Sequence, residues 1–200
     1  MSEKTISTLA QRVQTHFADS IAVKQTAQKE LPDSIAKAIF LISNSLQAGG
    51  KIMACGNGGS AADSQHFAAE LMGRFERERR ELAAIALTTD SSIITAIGND
   101  YTYEDIFSKQ VRGLGRSGDV LLAISTSGNS KNVIAAIDAA KKMGIVVIAF
   151  TGNGGGKIAS ILGPQDIHLC VPANRTARIQ ETHLLLLHCI CDGVDHVLFD

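Results

Sequence analysis

The chain has 200 residues, 45% of them hydrophobic and 20% charged, with a formal net charge of −1; this is the balance of one soluble globular domain able to build a core without disulfides. The near-neutral charge and the lack of Trp argue against a protein that lives on phosphate backbones or stacks single-stranded bases. The opening Met1-Ser2-Glu3-Lys4-Thr5 has no apolar signal-peptide core and no apolar run comes near the ~20 residues of a membrane helix, so a cytoplasmic location is expected.

Cys55, Cys170, Cys189 and Cys191 sit in apolar stretches and read as reduced, buried small hydrophobes. Roughly the first 45 residues read as helical, with Ile35, Ala38, Ile39, Ile42 and Leu46 at helical spacing. Leu31-Pro32-Asp33 interrupts them and suits a new helix start, and Gly49-Gly50 ends the segment. Short apolar runs follow at Lys51–Cys55, Ala83–Leu87, Val120–Ile124, Ile145–Phe150 and Ile167–Val171. Between them lie helix-like segments at Ala61–Arg74, Tyr103–Leu114, Lys131–Met143 and Lys157–Leu162, with a last one from about Ala177 to Leu198. Near-continuous apolar strands alternating with helices predict an α/β fold with a five-stranded parallel sheet covered on both faces. The whole is one domain, an N-terminal helical segment (1–48) leading into an α/β core (49–200).

Two strand–helix connections are rich in Gly and Ser, the places where an open α/β sheet puts ligands. The first is Cys55-Gly56-Asn57-Gly58-Gly59-Ser60-Ala61-Ala62. Its glycines let backbone N–H groups approach an anion, the following helix N-terminus adds a favourable dipole, and Ser60 can cap that helix. A tight turn with a Ser cap is the plainer reading. A dinucleotide fingerprint fits poorly: the acid it needs about 20 residues on would be Asp90, nearly 30 residues past Ala61. Gly152–Lys157 lacks P-loop spacing and has Ile158 where Ser or Thr is required. The second connection, Ser125-Thr126-Ser127-Gly128-Asn129-Ser130, sets four hydroxyl residues around one Gly. Capping needs one hydroxyl, so a neutral cradle for a phosphate monoester is the better account.

His66 and Glu70 are four apart and share a helix face, which suits two metal ligands or a base beside an imidazole, with a surface ion pair as the plain alternative. In the last helix His183 and His188 point to different faces, and spacing does not choose between them. Cys189 and Cys191 diverge too far around a helix to pair on a metal and read as packed thiols.

These motifs, with Gly98-Asn99-Asp100 and Arg178-Ile179-Gln180-Glu181, resemble the sugar-isomerase (SIS) domain family, in its phosphoheptose isomerase branch, from about Leu46 to the C-terminus. The resemblance implies an isomerase that converts sedoheptulose 7-phosphate to D-glycero-D-manno-heptose 7-phosphate through an enediol, the first step towards ADP-heptose for lipopolysaccharide. It implies substrate contacts from Asn57, Gly58, Gly59, Ser60, Glu70, Asn99, Asp100, Ser125, Thr126, Ser127, Ser130 and Gln180. It further implies one Zn2+ held by His66, Glu70, Gln180 and His188, with Glu70 and His188 as the acid–base pair, and a homotetramer. A second branch of the same family, non-catalytic tetramers that bind the replication initiator DnaA, shares much of the sequence, but the presence of both Glu70 and His188 favours the enzyme. No direct nucleic-acid or membrane contact is implied. On one regular helix the Cα atoms of Gln180 and His188 lie about 12 Å apart along the axis. The helix is therefore expected to begin after Gln180, or two chains to share each site.

Overall fold

In the computed structural model, which describes residues 2–200, two helices lead into the sheet. Helix α1 (Glu3–Glu30) starts at Ser2, whose side chain accepts from the Thr5 N–H, and α2 (Pro32–Gln47) starts with Pro at its first turn after Leu31. Pro lacks an N–H and its fixed φ suits a first helical position, so the Leu31-Pro32-Asp33 break falls where the sequence puts it. Then follow β1 (Ile52–Cys55), α3 (Gly59–Met72), β2 (Ala84–Ala86), α4 (Ser91–Asp100), a 3₁₀ turn (Tyr103–Asp105), α5 (Ser108–Leu114) and β3 (Val120–Ser125). The chain ends through α6 (Lys131–Lys142), β4 (Val146–Thr151), a second 3₁₀ turn (Asn153–Gly155), α7 (Gly156–Ile161), β5 (Ile167–Cys170) and α8 (Thr176–Phe199).

The five strands are parallel, in the order β2-β1-β3-β4-β5. Side chains alternate across them. Ile52, Ala54, Leu122 and Phe150 join a core with α2, α3 and α8, while Met53, Cys55, Leu121 and Ala149 join another with α5 and α6. Both faces are therefore covered, as the unbroken apolar strands predict. Phe67 and Leu71 on α3 are fully buried, each worth about 1.5–3 kcal/mol relative to exposure. The chain leaves β1 towards β2 and returns to β3 on the other side, so β1 and β3 flank the topological switch point. The crevice above their C-terminal ends is where such sheets bind ligands.

Several expectations are corrected. Helix α4 has no counterpart in the sequence reading: Asp90 caps it by accepting from the Ile93 N–H, but the β-branched run Ile93-Ile94-Thr95 hides the helix. The single helix expected over Tyr103–Leu114 is a 3₁₀ turn followed by α5, with Ile106 and Phe107 turned into the core between them. All four cysteines are free, yet Cys189 is exposed and Cys170 half-buried; only Cys55 and Cys191 are buried, and burial pushes the Cys55 thiol up to about 12. Helix α8 is long and apolar enough to cross a membrane by length and composition, against the expectation that no segment is. Its buried Ile179, Leu187, Ile190 and Val194 pack in the core beside α2 and α3, which accounts for its apolarity.

Candidate active site

Both Gly/Ser connections lie at the switch point, after β1 and after β3. In the first, the N-cap position of α3 is Gly58, with no side-chain cap. Ser60 is therefore not the cap expected of it. It lies one residue into the helix, buried, and its backbone crowds Gly56 so closely that a Cβ there would sit 2.6 Å from the Ser60 carbonyl oxygen. The Ser60, Ala61 and Ala62 N–H groups already donate to the Asn57 and Gly58 carbonyls, so what this turn offers an anion is the Gly59 N–H and the helix dipole.

Asn57 and Asn132 form a reciprocal amide pair, each donating to the other at 2.8 Å. Asn132 is buried in the first turn of α6, so this pair braces the first loop against the second. Tyr103 also donates to Asn57 Oδ1, at 3.3 Å. Asn57 is thus committed within the protein, and Asn132 is a site residue that sequence reading missed. Asn99 and Asp100 bond each other at 2.8 Å at the exposed end of α4, on the segment leading to Tyr103.

In the second loop Ser130 occupies the N-cap position of α6 but makes no cap hydrogen bond. Its hydroxyl instead pairs with Ser125 Oγ at 2.9 Å. Ser127 is exposed, its Oγ accepting from the Asn129 N–H, and Thr126 is half-buried. The loop rests on Gly152–Lys157: Gly152 N–H donates to the Thr126 carbonyl, Ile158 N–H to the Gly128 carbonyl, and Lys157 N–H to Asn129 Oδ1. The glycine-rich segment rejected as a P-loop is the floor of this cradle. Behind it, His168 Nε2 meets Thr151 Oγ1 at 2.6 Å, and the buried His183 Nε2–H donates to the Thr151 carbonyl at 2.9 Å. Burial lowers the His183 pKa to about 4, so its ring stays neutral. His183 is a core residue, and the choice that spacing left open falls to His188.

Helices α3 and α8 run side by side. At one level a Cβ on Gly59 would lie 2.5 Å from the Gln180 amide nitrogen. Further along, His66 Nε2 is 3.2 Å from His188 Nε2 and 2.9 Å from Glu70 Oε1, with the Phe75 ring against His188. Glu70 is mostly buried, its side chain 24% exposed, whereas His66 is 40% exposed. Nearby, desolvation raises the pKa of Asp63, partly offset by His66, and one Asp63 carboxyl oxygen has no partner. One chain therefore brings Glu70, His66 and His188 together. Gln180 lies on the same helix as His188, so the helix does not begin after it, and its amide lies against Gly59.

The donor chemistry suits a metal: two ligands about 2.0–2.1 Å from a tetrahedral ion lie about 3.3 Å apart, close to the His66–His188 separation of 3.2 Å. Among the described residues, however, no group of three or more His, Cys, Asp or Glu closes into a metal site by itself.

Two Gly/Ser loops at the switch point, with a carboxylate and two imidazoles gathered between α3 and α8, are the features of a phosphosugar-binding α/β domain. The chain belongs to the SIS domain family, which it matches over residues 15–152. Within that family it is 66% identical over 190 residues to the phosphoheptose isomerase of Dechloromonas aromatica, covering 95% of this chain and 97% of that protein. The solved phosphoheptose isomerase of Neisseria gonorrhoeae superposes with a TM-score of 0.91 at 57% identity, over 94% of this chain and 99% of that one. That of Francisella tularensis gives 0.91 at 43% identity, over 94% and 98%.

The hydroxyl cradle is open to test. Ser127→Ala and Ser130→Ala are each expected to weaken sugar-phosphate binding by about 0.5–1.5 kcal/mol, or up to about 3 kcal/mol where the lost hydrogen bond is to charge. Titration calorimetry showing unchanged affinity in both variants would move the phosphate elsewhere.

Proposed function

We propose that this chain is a phosphoheptose isomerase acting on sedoheptulose 7-phosphate; the observation that carries the reading is the Glu70–His66–His188 cluster between α8 and α3, the helix that leaves the glycine loop at the switch point. The 7-phosphate lies in the Ser125–Ser130 cradle, with the first turns of α3 and α6 directed at it. Gly58, Gly59 and Gln180 line the sugar, with Ser60 behind them, and Asn99 and Asp100 close the side beyond Tyr103. Glu70 takes the proton from C1 of the ketose while His188 serves the oxygens of the enediol. Return of a proton to C2 then gives the aldose phosphate, D-glycero-D-manno-heptose 7-phosphate.

His66, Glu70 and His188 would hold one Zn2+, and Gln180, about 12 Å from His188 along α8, would complete the set only from a neighbouring copy; bound there, the ion would polarise the sugar oxygens. The enzyme is cytoplasmic and supplies heptose for lipopolysaccharide. It works as a homotetramer, for which the support is the apolar stripe Ile6, Leu9, Val13, Phe17 and Ile21 along α1, all 48–68% exposed on one helix face and suited to burial against further copies.

Purified protein incubated with sedoheptulose 7-phosphate is expected to form the aldose phosphate, followed by NMR, and to lose that turnover with a strong chelator until Zn2+ is restored. No turnover with metal present would leave the DnaA-binding scaffold reading standing. Turnover that survives complete metal removal would discard zinc and keep the isomerase.

A further inference from the structure

We propose that Arg79, with Asp195, is a positioning residue for the acid–base pair: its buried guanidinium clamps the end of α3 to α8 and so sets how Glu70 and His66 face His188. The inference rests on the isomerase reading above. Arg79 lies in the charged stretch between α3 and β2, and such runs are ordinarily solvated surface. Here the Arg79 side chain is only 1% exposed and that of Asp195 only 6%.

Every nitrogen of the guanidinium donates. Nε binds Asp195 Oδ1 at 2.8 Å, and Nη2 binds the carbonyl of Glu70 itself at 2.7 Å. Nη1 reaches the carbonyls of Leu71, Gly73 and Arg80 at 2.9, 3.0 and 3.2 Å. The carbonyls of Glu70 and Leu71 are among those a helix C-terminus leaves without partners, and a cation there is favoured by the helix dipole. On the other side, Asp195 stands seven residues beyond His188 on α8, two turns along and only about 20° around the helix. Both therefore project from one face of α8 towards α3. The two helices meet at three levels: Gly59 with Gln180, His66 with His188, and the end of α3 with Asp195 through Arg79. The first level belongs to the substrate and the second to the chemistry. The third is a fixed point at the end of α3 that reaches Glu70 only through its backbone carbonyl.

A lysine at position 79 keeps the charge, but a single ammonium cannot hold the helix end and Asp195 together as the planar fork does. A shift of about 1 Å in catalytic groups costs about 10²-fold in rate. Arg79→Lys and Asp195→Asn are therefore each expected to lower kcat about 10- to 100-fold while KM for sedoheptulose 7-phosphate stays within about twofold, because the phosphate cradle is anchored elsewhere. The double variant is expected to lose no more than the worse single one, as members of one unit do. Arg77→Lys is the control. Arg77 pairs with Asp200 in the same stretch, but that pair is exposed, so kcat is expected to be unchanged. Circular dichroism and sedimentation establish fold and assembly for each variant.

An Arg79→Lys enzyme that is folded with normal kcat overturns the proposal, and so does one whose KM rises while kcat holds. Failure of Arg79→Lys to fold also counts against it, since Arg79 would then be a folding residue. Failure of the isomerase reading shows separately, as absence of turnover in the unmodified chain.

Discussion

Glu70→Gln is expected to lower turnover of sedoheptulose 7-phosphate by about 10²–10⁴-fold, the range a positioned general base contributes, without loss of the fold. Gln matches Glu in size, and its amide can still meet His66 Nε2, which lies 2.9 Å from Glu70 Oε1. The Glu70 carbonyl stays tied to Arg79, since that bond belongs to the backbone. What is removed is the carboxylate's charge, and with it the capacity to accept a proton from carbon and the anionic ligand proposed for Zn2+. Steady-state assays beside a far-UV spectrum measure both halves of the statement, and a variant with near-normal activity would take Glu70 out of the mechanism. The same geometry predicts the outcome of mixing. Glu70 and His188 meet through His66 within one chain, contrary to a site whose acid and base come from two chains. A Glu70→Gln chain co-assembled with a His188→Ala chain is therefore expected to recover no activity, because each mixed site lacks one of the pair.

What the sequence made legible follows from how each feature is encoded. Parallel strands covered on both faces must be apolar at every position, so Val120–Ile124 and Ile145–Phe150 stand out and were placed within a residue of β3 and β4. Helix α4 escaped because its strongest residues, Ile93 and Ile94, are β-branched and look like strand, although the cap at Asp90 was available as a signal. The loop chemistry was legible as composition, since four hydroxyls in six residues exceed what a turn needs. Their support was not. Asn132 reaches Asn57 across 75 positions, and Gly155 lies under Gly128 across α6 and β4. His183 and His188 share one helix, and only the Thr151 carbonyl on one side and His66 on the other separate a core imidazole from one that faces α3. Arg79 carries no local mark at all, because a buried arginine inside a charge run is spelled like an exposed one.

Gly128→Ala is expected to be the most damaging single methyl in the molecule. Gly128 has φ +65°, where an L side chain costs about 1–2 kcal/mol through contact with its own backbone. Here that strain is the smaller part. An added Cβ would stand 1.9 Å from the Gly155 carbonyl oxygen and 2.3 Å from its carbon, and neither atom can swing aside as a side chain would. The two loops would have to separate, breaking the Ile158 N–H bond to the Gly128 carbonyl and the Gly152 N–H bond to the Thr126 carbonyl. The paired hydroxyls of Ser125 and Ser130 hang on those anchors. The expected loss of stability is about 2–5 kcal/mol, about 1–3 from overpacking added to the backbone strain. Any folded fraction should bind the sugar phosphate weakly, since the cradle no longer presents its donors together. Gly118→Ala supplies the comparison: φ there is +92°, but nothing lies within 4 Å of the added carbon, so conformational strain alone remains, about 1–2 kcal/mol. Chemical denaturation of both variants reads the difference directly. If Gly128→Ala were no less stable than Gly118→Ala, the close packing of the serine loop on Gly155 would be wrong, and the phosphate cradle would need another floor.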